Sequence, residues 1–181
     1  MKEHGPWKIV DSHQAYQDPW VTLRRDEVIR PDGKPGSYVV VNLKPGVCVL
    51  AIDEDRNVYL TKEFHYGVGR VTIECVSGGI EKDEDPLVCA KRELQEELGI
   101  EAAQWTHLGQ TDPFTANVIS PTQMFLAEEL TFVDTNPEGT ELIERVRVPF
   151  STAIEYVVDS TITHSPSCLT ILKAEKSLSK S

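Results

Sequence analysis

The sequence predicts an α/β fold, and three observations predict it. A helix with clear start and stop signals occupies 86–98, short apolar runs of strand character lie on both sides of it, and two more helical segments follow. In the central helix Asp85 is a good N-cap, Pro86 suits the first helical position, and Gly99 stands where the chain leaves the last turn. Leu87, Ala90, Leu94 and Leu98 recur at three- and four-residue steps and form its apolar stripe. Glu93, Glu96 and Glu97 share another face as neighbours across a turn.

Ahead of that helix, 7–12 and 20–30 read as strands. The second ends in the turn Pro31-Asp32-Gly33 and returns as a strand over 37–43. This element, 1–43, is too small to make a core of its own and must pack on something else. From 44 onward the main domain, 44–181, begins with strands at 47–53 and 58–64 around a polar turn, and a strand at 71–76 feeds the helix. Beyond it, 103–110 and 123–128 read as strands around the loop 111–121, which carries Pro113 and Pro121. A polar loop at 134–140 leads to a strand at 141–148. Helices are expected at 150–158, capped by Ser151, and at 165–176, with Pro166 at its start; a frayed tail follows from 177.

A chain of 181 residues suits one domain with a small appendage. Its 18 basic and 29 acidic residues leave a net charge of −11, a surface that repels nucleic acid and anionic membranes. A small anionic substrate must therefore be held by local positive charge. Cys48, Cys75, Cys89 and Cys168 have no metal-ligand spacing and read as core thiols of a reducing compartment. The start of the chain lacks an apolar signal region, so a cytoplasmic location is expected.

The glutamate face poses a local conflict. Like charges one turn apart cost roughly 0.2–0.5 kcal/mol per pair, and acids near a helix C-terminus oppose the macrodipole by about 0.3–1 kcal/mol. Three glutamates alone also describe a solvated acidic face. A hard divalent cation would remove both penalties, and clustered carboxylates suit Mg²⁺, with Mn²⁺ as the alternative.

Gly78, Glu84, Arg92, Glu93, Leu94, Glu96, Glu97, Gly99 and Ile100 fill every fixed position of G-x5-E-x7-R-E-U-x-E-E-x-G-U, where U is aliphatic. In this the stretch resembles the Nudix box. The resemblance implies an α/β/α sandwich with a mixed sheet, here joined by a small N-terminal antiparallel sheet. It also implies a hydrolase that cleaves a nucleoside diphosphate linked to another moiety. Metal ions would sit on Glu93, Glu96, Glu97 and the main-chain carbonyl of Ser77. Arg92 would pair with Glu84, and together with Glu93 it belongs to the expected catalytic set. Glu141, with Glu138 second, is the expected base.

Within the family the chain looks most like the ADP-ribose and nucleotide-sugar branch. There a similar N-terminal sheet packs across a homodimer, and Trp20 and Tyr38 match by spacing the aromatics that sandwich the nucleobase. ADP-ribose is the first substrate to expect; GDP-sugars, dinucleoside polyphosphates and NADH are alternatives within the family. A Nudix domain that senses a nucleotide without turnover is the alternative of another class. The chain departs from that branch where relatives carry R-Q-Y-R and E-L-P-A-G, having Lys62-Glu63-Phe64-His65 and Glu74-Cys75-Val76-Ser77-Gly78. His65 thus replaces an arginine that binds substrate, and a neutral imidazole does not hold an anion bidentately as a guanidinium does. Lys62 and Arg70 are the other nearby cations and join His65 as substrate-binding candidates.

Overall fold

The computed structural model describes residues 1–135 and 142–179. In chain order its strands begin with β1 (Lys2–His4), β2 (Trp7–Gln17), β3 (Val21–Ile29), β4 (Pro35–Leu43), β5 (Gly46–Ile52) and β6 (Asn57–His65). Then come β7 (Arg70–Glu74), β8 (Val76–Gly79), helix α1 (Pro86–Leu98), β9 (Ile100–Thr111), β10 (Val118–Ile119) and β11 (Thr122–Phe132). The chain closes with β12 (Glu144–Pro149), α2 (Phe150–Val158) and α3 (Ser165–Leu178). These elements form two compact units, Met1–Pro45 with Asp112–Pro121, and Gly46–Thr111 with Thr122–Ser181.

The first unit is a sheet in the order β1-β2-β3-β4-β10. The meander from β1 to β4 is antiparallel, whereas β10 joins β4 in parallel register. The loop expected at 111–121 therefore adds a short strand to the N-terminal sheet. Sequence reasoning does not see it, because two residues carry no periodicity. Inside the unit Asp26 is buried, accepting from the Ser12 hydroxyl at 2.7 Å and from Arg24 Nε at 2.9 Å.

The second unit is built on a mixed sheet in the order β12-β6-β5-β11-β9, with β7 paired to β6 and β8 to β5. Strand β5 shows why it becomes a sandwich. Val47, Val49 and Ala51 pack in one core with Cys89, Ala90, Leu94 and Leu98 of α1. Cys48, Leu50 and Ile52 pack in the other with Phe150 and Ala153 of α2 and Ile171 and Ala174 of α3. Alternate side chains leave opposite faces of a strand, so a continuously apolar strand requires a helical layer on each side.

Two expectations are corrected. The strand expected at 71–76 is broken at Cys75, whose N–H goes to Ser167 Oγ at 2.9 Å instead of to a neighbouring strand. Helix α2 starts where expected, but Ser151 does not cap it; Pro149 is the N-cap residue and no side chain caps the helix. The Phe150 N–H instead reaches the Arg56 carbonyl at 2.9 Å. Of the four cysteines, Cys48, Cys75 and Cys89 are buried, Cys168 is half-buried, and all are free thiols.

Asp53 ties β5 to β6 and β12. Its carboxylate accepts from Arg147 at 2.8 Å, from the Asn57 N–H at 2.7 Å and from the Tyr59 hydroxyl at 3.0 Å. Burial opposes its ionisation, but these donors, Arg147 foremost, outweigh burial and hold its pKa at about 2. A folded-state pKa below the unfolded value stabilises the fold above the unfolded value, and the gain is lost as pH falls through the folded one. The contribution is about 2 kcal/mol. Asp53→Asn should lower the melting temperature at pH 7, and the gap to the parent should close as pH falls from about 4 to about 2. A pH-independent gap in thermal unfolding would show that ionisation of Asp53 is not the cause.

Candidate active site

Helix α1 has the limits that its capping residues dictate. Asp85 accepts from the N–H groups of Leu87 and Val88 at 2.9 and 3.3 Å. Gly99 leaves the helix in the left-handed conformation at φ 57°, returning its N–H to the Gln95 carbonyl at 2.8 Å. A side chain there would also run into the Val133 carbonyl. Leu94 and Leu98 are fully buried and fix which face of the helix points away from the core.

Arg92 gathers the residues on that outer face. Its Nε is 3.0 Å from Glu84 Oε1 and its Nη2 3.2 Å from Glu84 Oε2, so it grips that carboxylate with both arms. Nη1 donates to Glu93 at 2.8 Å and to Glu96 at 2.9 Å, and Nη2 reaches the Gly79 carbonyl at 3.4 Å. The bond to Arg92 holds Glu84 below the usual carboxylate range despite its burial, and the same acids push the guanidinium pKa up. Cys89 lies among these charges; burial, then Glu84 and Glu93, raise its thiol to about 12. At the end of the helix the Arg145 guanidinium donates to the Leu98 carbonyl, placing a cation where the macrodipole favours one. Two arginines thus answer much of the charge conflict that the glutamate spacing poses.

Gly78 explains how Glu93 reaches the strand. A Cβ at position 78 would overlap the Glu93 side chain, so the carboxylate packs directly against the backbone of β8, beside Ser77. Glu97 and Ser77 line a polar cavity of about 320 Å³ together with Thr61, His65 and Glu74. Glu93, Glu96, Glu97 and the main-chain oxygen of residue 77 are all hard oxygen donors, the set that fits Mg²⁺ or Mn²⁺ and not a thiophilic metal. Among the described residues no three acidic, histidine or cysteine side chains already converge as an ion cage; Arg92 occupies Glu93 and Glu96. Glu138 and Glu141 lie outside the described residues.

The other expected substrate residues divide. His65 lines the cavity, with its Nε2 3.4 Å from Glu74. Lys62 instead pairs with Glu144 at 2.8 Å across β6 and β12, and the Arg70 guanidinium donates to Thr163 at 2.8 Å. In the N-terminal unit Tyr38 lines a cavity of about 510 Å³, donating its hydroxyl to the Ala116 carbonyl and meeting Trp7 edge-on at 5.4 Å. Trp20 is 67% exposed and is not part of that cavity. Val21 faces Leu43 and Asp26 faces Tyr38, so within one chain Trp20 and Tyr38 are five or more residues apart in register, about 17 Å along the strand. Sequence reasoning missed Trp7, which reads only as a strand start, and His164, which carries no local motif; Glu74 stands in the stretch before the box glycine but receives no role there.

Comparison with known proteins places the chain. A family model described as NUDIX domain matches residues 42–157, and one described as nucleoside diphosphate sugar hydrolase N-terminal domain matches 7–41. The chain is 30% identical over 154 residues to an ADP-ribose pyrophosphatase of Bacillus subtilis (strain 168), covering 83% of this chain and 82% of that protein. It is 26% identical over 169 residues to a methanol dehydrogenase activator of Bacillus methanolicus, covering 91% and 90%. In structure it is similar to a crystal structure of an ADP compounds hydrolase, with a TM-score of 0.84 at 18% identity over 99% of this chain and 98% of that one. At that identity the likeness is one of fold, and it bears out the α/β architecture with mixed sheet.

The contact between Gly78 and Glu93 is testable. Gly78→Ala should displace the Glu93 carboxylate from β8 and from Arg92, costing about 1 kcal/mol and lowering the melting temperature by a few degrees. A melting curve unchanged from the parent would show that Glu93 moves aside freely and that β8 does not seat it.

Proposed function

Because the chain belongs to the Nudix hydrolase family, we propose that this Nudix pyrophosphate hydrolase cleaves the pyrophosphate linkage of a nucleoside diphosphate sugar, with ADP-ribose as first choice. The products would be a nucleoside monophosphate and a sugar phosphate. The observation that carries this reading is the Arg92 network, in which one guanidinium sets Glu84, Glu93 and Glu96 on the face of α1 next to β8. The match of residues 7–41 to a nucleoside diphosphate sugar hydrolase model supports the substrate class.

Glu93, Glu96, Glu97 and the Ser77 carbonyl would hold Mg²⁺, with Mn²⁺ as the alternative. Bound there, the ions supply Lewis-acid polarisation of the diphosphate and lower the pKa of a water. Arg92 positions two of these carboxylates and, through Glu84, the loop before the helix. Glu141 is the first choice of base for the attacking water and Glu138 the second, both carried by the family resemblance. The chain brings His65 to the cavity, while Lys62 and Arg70 take secondary places because each already has a partner.

The N-terminal element, 1–43, is assigned to a homodimer in which Trp20 of one chain and Tyr38 of the other receive the nucleobase. Their separation within one chain supports a sandwich made by two. A cytoplasmic location and a small-molecule partner, not nucleic acid or membrane, suit the acidic surface. Among the described residues no helix is long and apolar enough to cross a membrane.

A screen of nucleotide substrates with Mg²⁺, reading phosphate released after phosphatase coupling, tests the activity. Glu97→Gln should lower kcat by about 100-fold or more, roughly 3 kcal/mol of barrier, and leave the fold intact. A metal-dependent Glu97→Gln enzyme of parental rate would sink the ion assignment. Trp20→Ala should raise KM for all nucleotide substrates by a similar factor, since it removes binding common to ground and transition states. Unchanged KM values, or sedimentation as a single chain at assay concentration, would end the two-chain reading of the base site.

A further inference from the structure

The cavity that holds His65 is backed by a polar network that the hydrolysis above does not use. Glu74, 13% exposed, lies between two imidazoles: His65 Nε2 is 3.4 Å from one of its oxygens and His164 Nδ1 is 3.1 Å from the other. The Thr72 hydroxyl donates to the oxygen nearer His65 at 2.7 Å. His164 Nδ1 is also 2.8 Å from Ser167 Oγ, and fully buried Ser167 accepts the Cys75 N–H at 2.9 Å. A chain of polar groups therefore runs from the break between β7 and β8, through the start of α3, to the cavity wall.

An ionised carboxylate only accepts, which favours a hydrogen on the imidazole nitrogen turned to Glu74. At His164 the Ser167 hydroxyl, nearer to Nδ1 than Glu74 is, can donate or accept, and the Nδ1–H tautomer is the one that also serves Glu74. Burial is the main cause that lowers the pKa of His164, against the pull of the Glu74 carboxylate. At His65 a hydrogen on Nε2, towards Glu74, leaves Nδ1 of the neutral ring as an acceptor. Most of the rest of the cavity wall is of the same kind. Glu63, Glu97, Thr61 and Ser77 offer acceptors and hydroxyls beside the rings of Phe64 and Tyr66, and among the described residues no lysine or arginine lines it. Such a wall disfavours a bare phosphate and suits a group rich in hydroxyls.

We propose that Glu74 and His164 are positioning residues that fix the His65 ring so that its Nδ1 accepts a hydrogen bond from a sugar hydroxyl of the substrate's distal half. Glu97 and Ser77, proposed above to hold the metal, line the same cavity, so a sugar seated here would adjoin the diphosphate. This assignment deepens the nucleotide-sugar reading above and rests on it.

Two measurements test it. The first is the ratio of KM for ADP-ribose to KM for ADP esterified with a simple alkyl alcohol, which lacks the distal hydroxyls. Glu74→Gln and His164→Leu should each shift that ratio against ADP-ribose by about fivefold to tenfold, the loss of one aligned hydrogen bond. His164→Asn, which keeps an N–H at the Nδ1 position, should restore it towards the parent. An unchanged ratio, with kcat falling equally on both compounds, would overturn the proposal in favour of a structural role. The second measurement needs no turnover and no variant: nitrogen NMR of the histidine-labelled protein, titrated with ribose 5-phosphate. His65 should appear as the Nε2–H tautomer, and the sugar phosphate should move its Nδ1 resonance. An Nδ1–H tautomer, or no movement at saturation, would overturn the relay. A parent enzyme that cleaves neither compound would refute the nucleotide-sugar reading, while the titration would still decide the relay.

Discussion

The guanidinium of Arg92 is the interaction on which the rest of the site depends. Three carboxylates, Glu84, Glu93 and Glu96, converge on it, and it reaches across to the Gly79 carbonyl as well. Without a cation at that point these acids would repel one another in a partly buried setting, where removal of one partner of a charge cluster costs several kcal/mol. The arginine is one-third exposed, so solvent screening reduces that figure. Geometry is the larger contribution. A planar, five-donor group joins a loop residue, two helix residues and a strand carbonyl, which a lysine at the same position does not do.

That cluster needs a rigid floor, and the sandwich supplies it. Strand β5 is buried on both faces, with α1 on one side and α2 and α3 on the other. The parallel pairing of β5 with β11 and the antiparallel pairing of β5 with β8 set the strand that carries Ser77 and Gly78 under the helix that carries Glu93. Gly78 is the point of closest approach, and its missing side chain is filled by the glutamate. Asp53 performs a similar service at the far end of β5, holding β6 and β12 through Tyr59 and Arg147.

Two points at which this chain departs from the motifs of the branch it resembles lie close together in the sequence. Position 65 carries an imidazole, position 74 retains a carboxylate, and the proline expected shortly after it is absent. In the fold these positions adjoin: His65 faces Glu74, and the next residue, Cys75, gives its N–H to Ser167. Strand β7 ends there, and α3 is brought in through His164 and Ser167.

From the amino-acid sequence alone the helix at 86–98, its caps, its buried stripe, the α/β class and the family are all determined. Each of these rests on short-range signals: an N-cap within three residues, a 3.6-residue period, a box confined to 78–100. The pairing of Arg92 with Glu84 is legible for the same reason, since eight residues separate them. Tertiary structure decided what depends on distant partners. It placed Lys62 and Arg70 with Glu144 and Thr163, brought residues 118–119 to the N-terminal sheet, and set Trp20 and Tyr38 apart in register. It also brought His164 to Glu74, ninety residues away along the chain. No local propensity encodes such a contact; it exists only because β7, β8 and α3 pack on one core, and side-chain partners across that core are chosen by the packing.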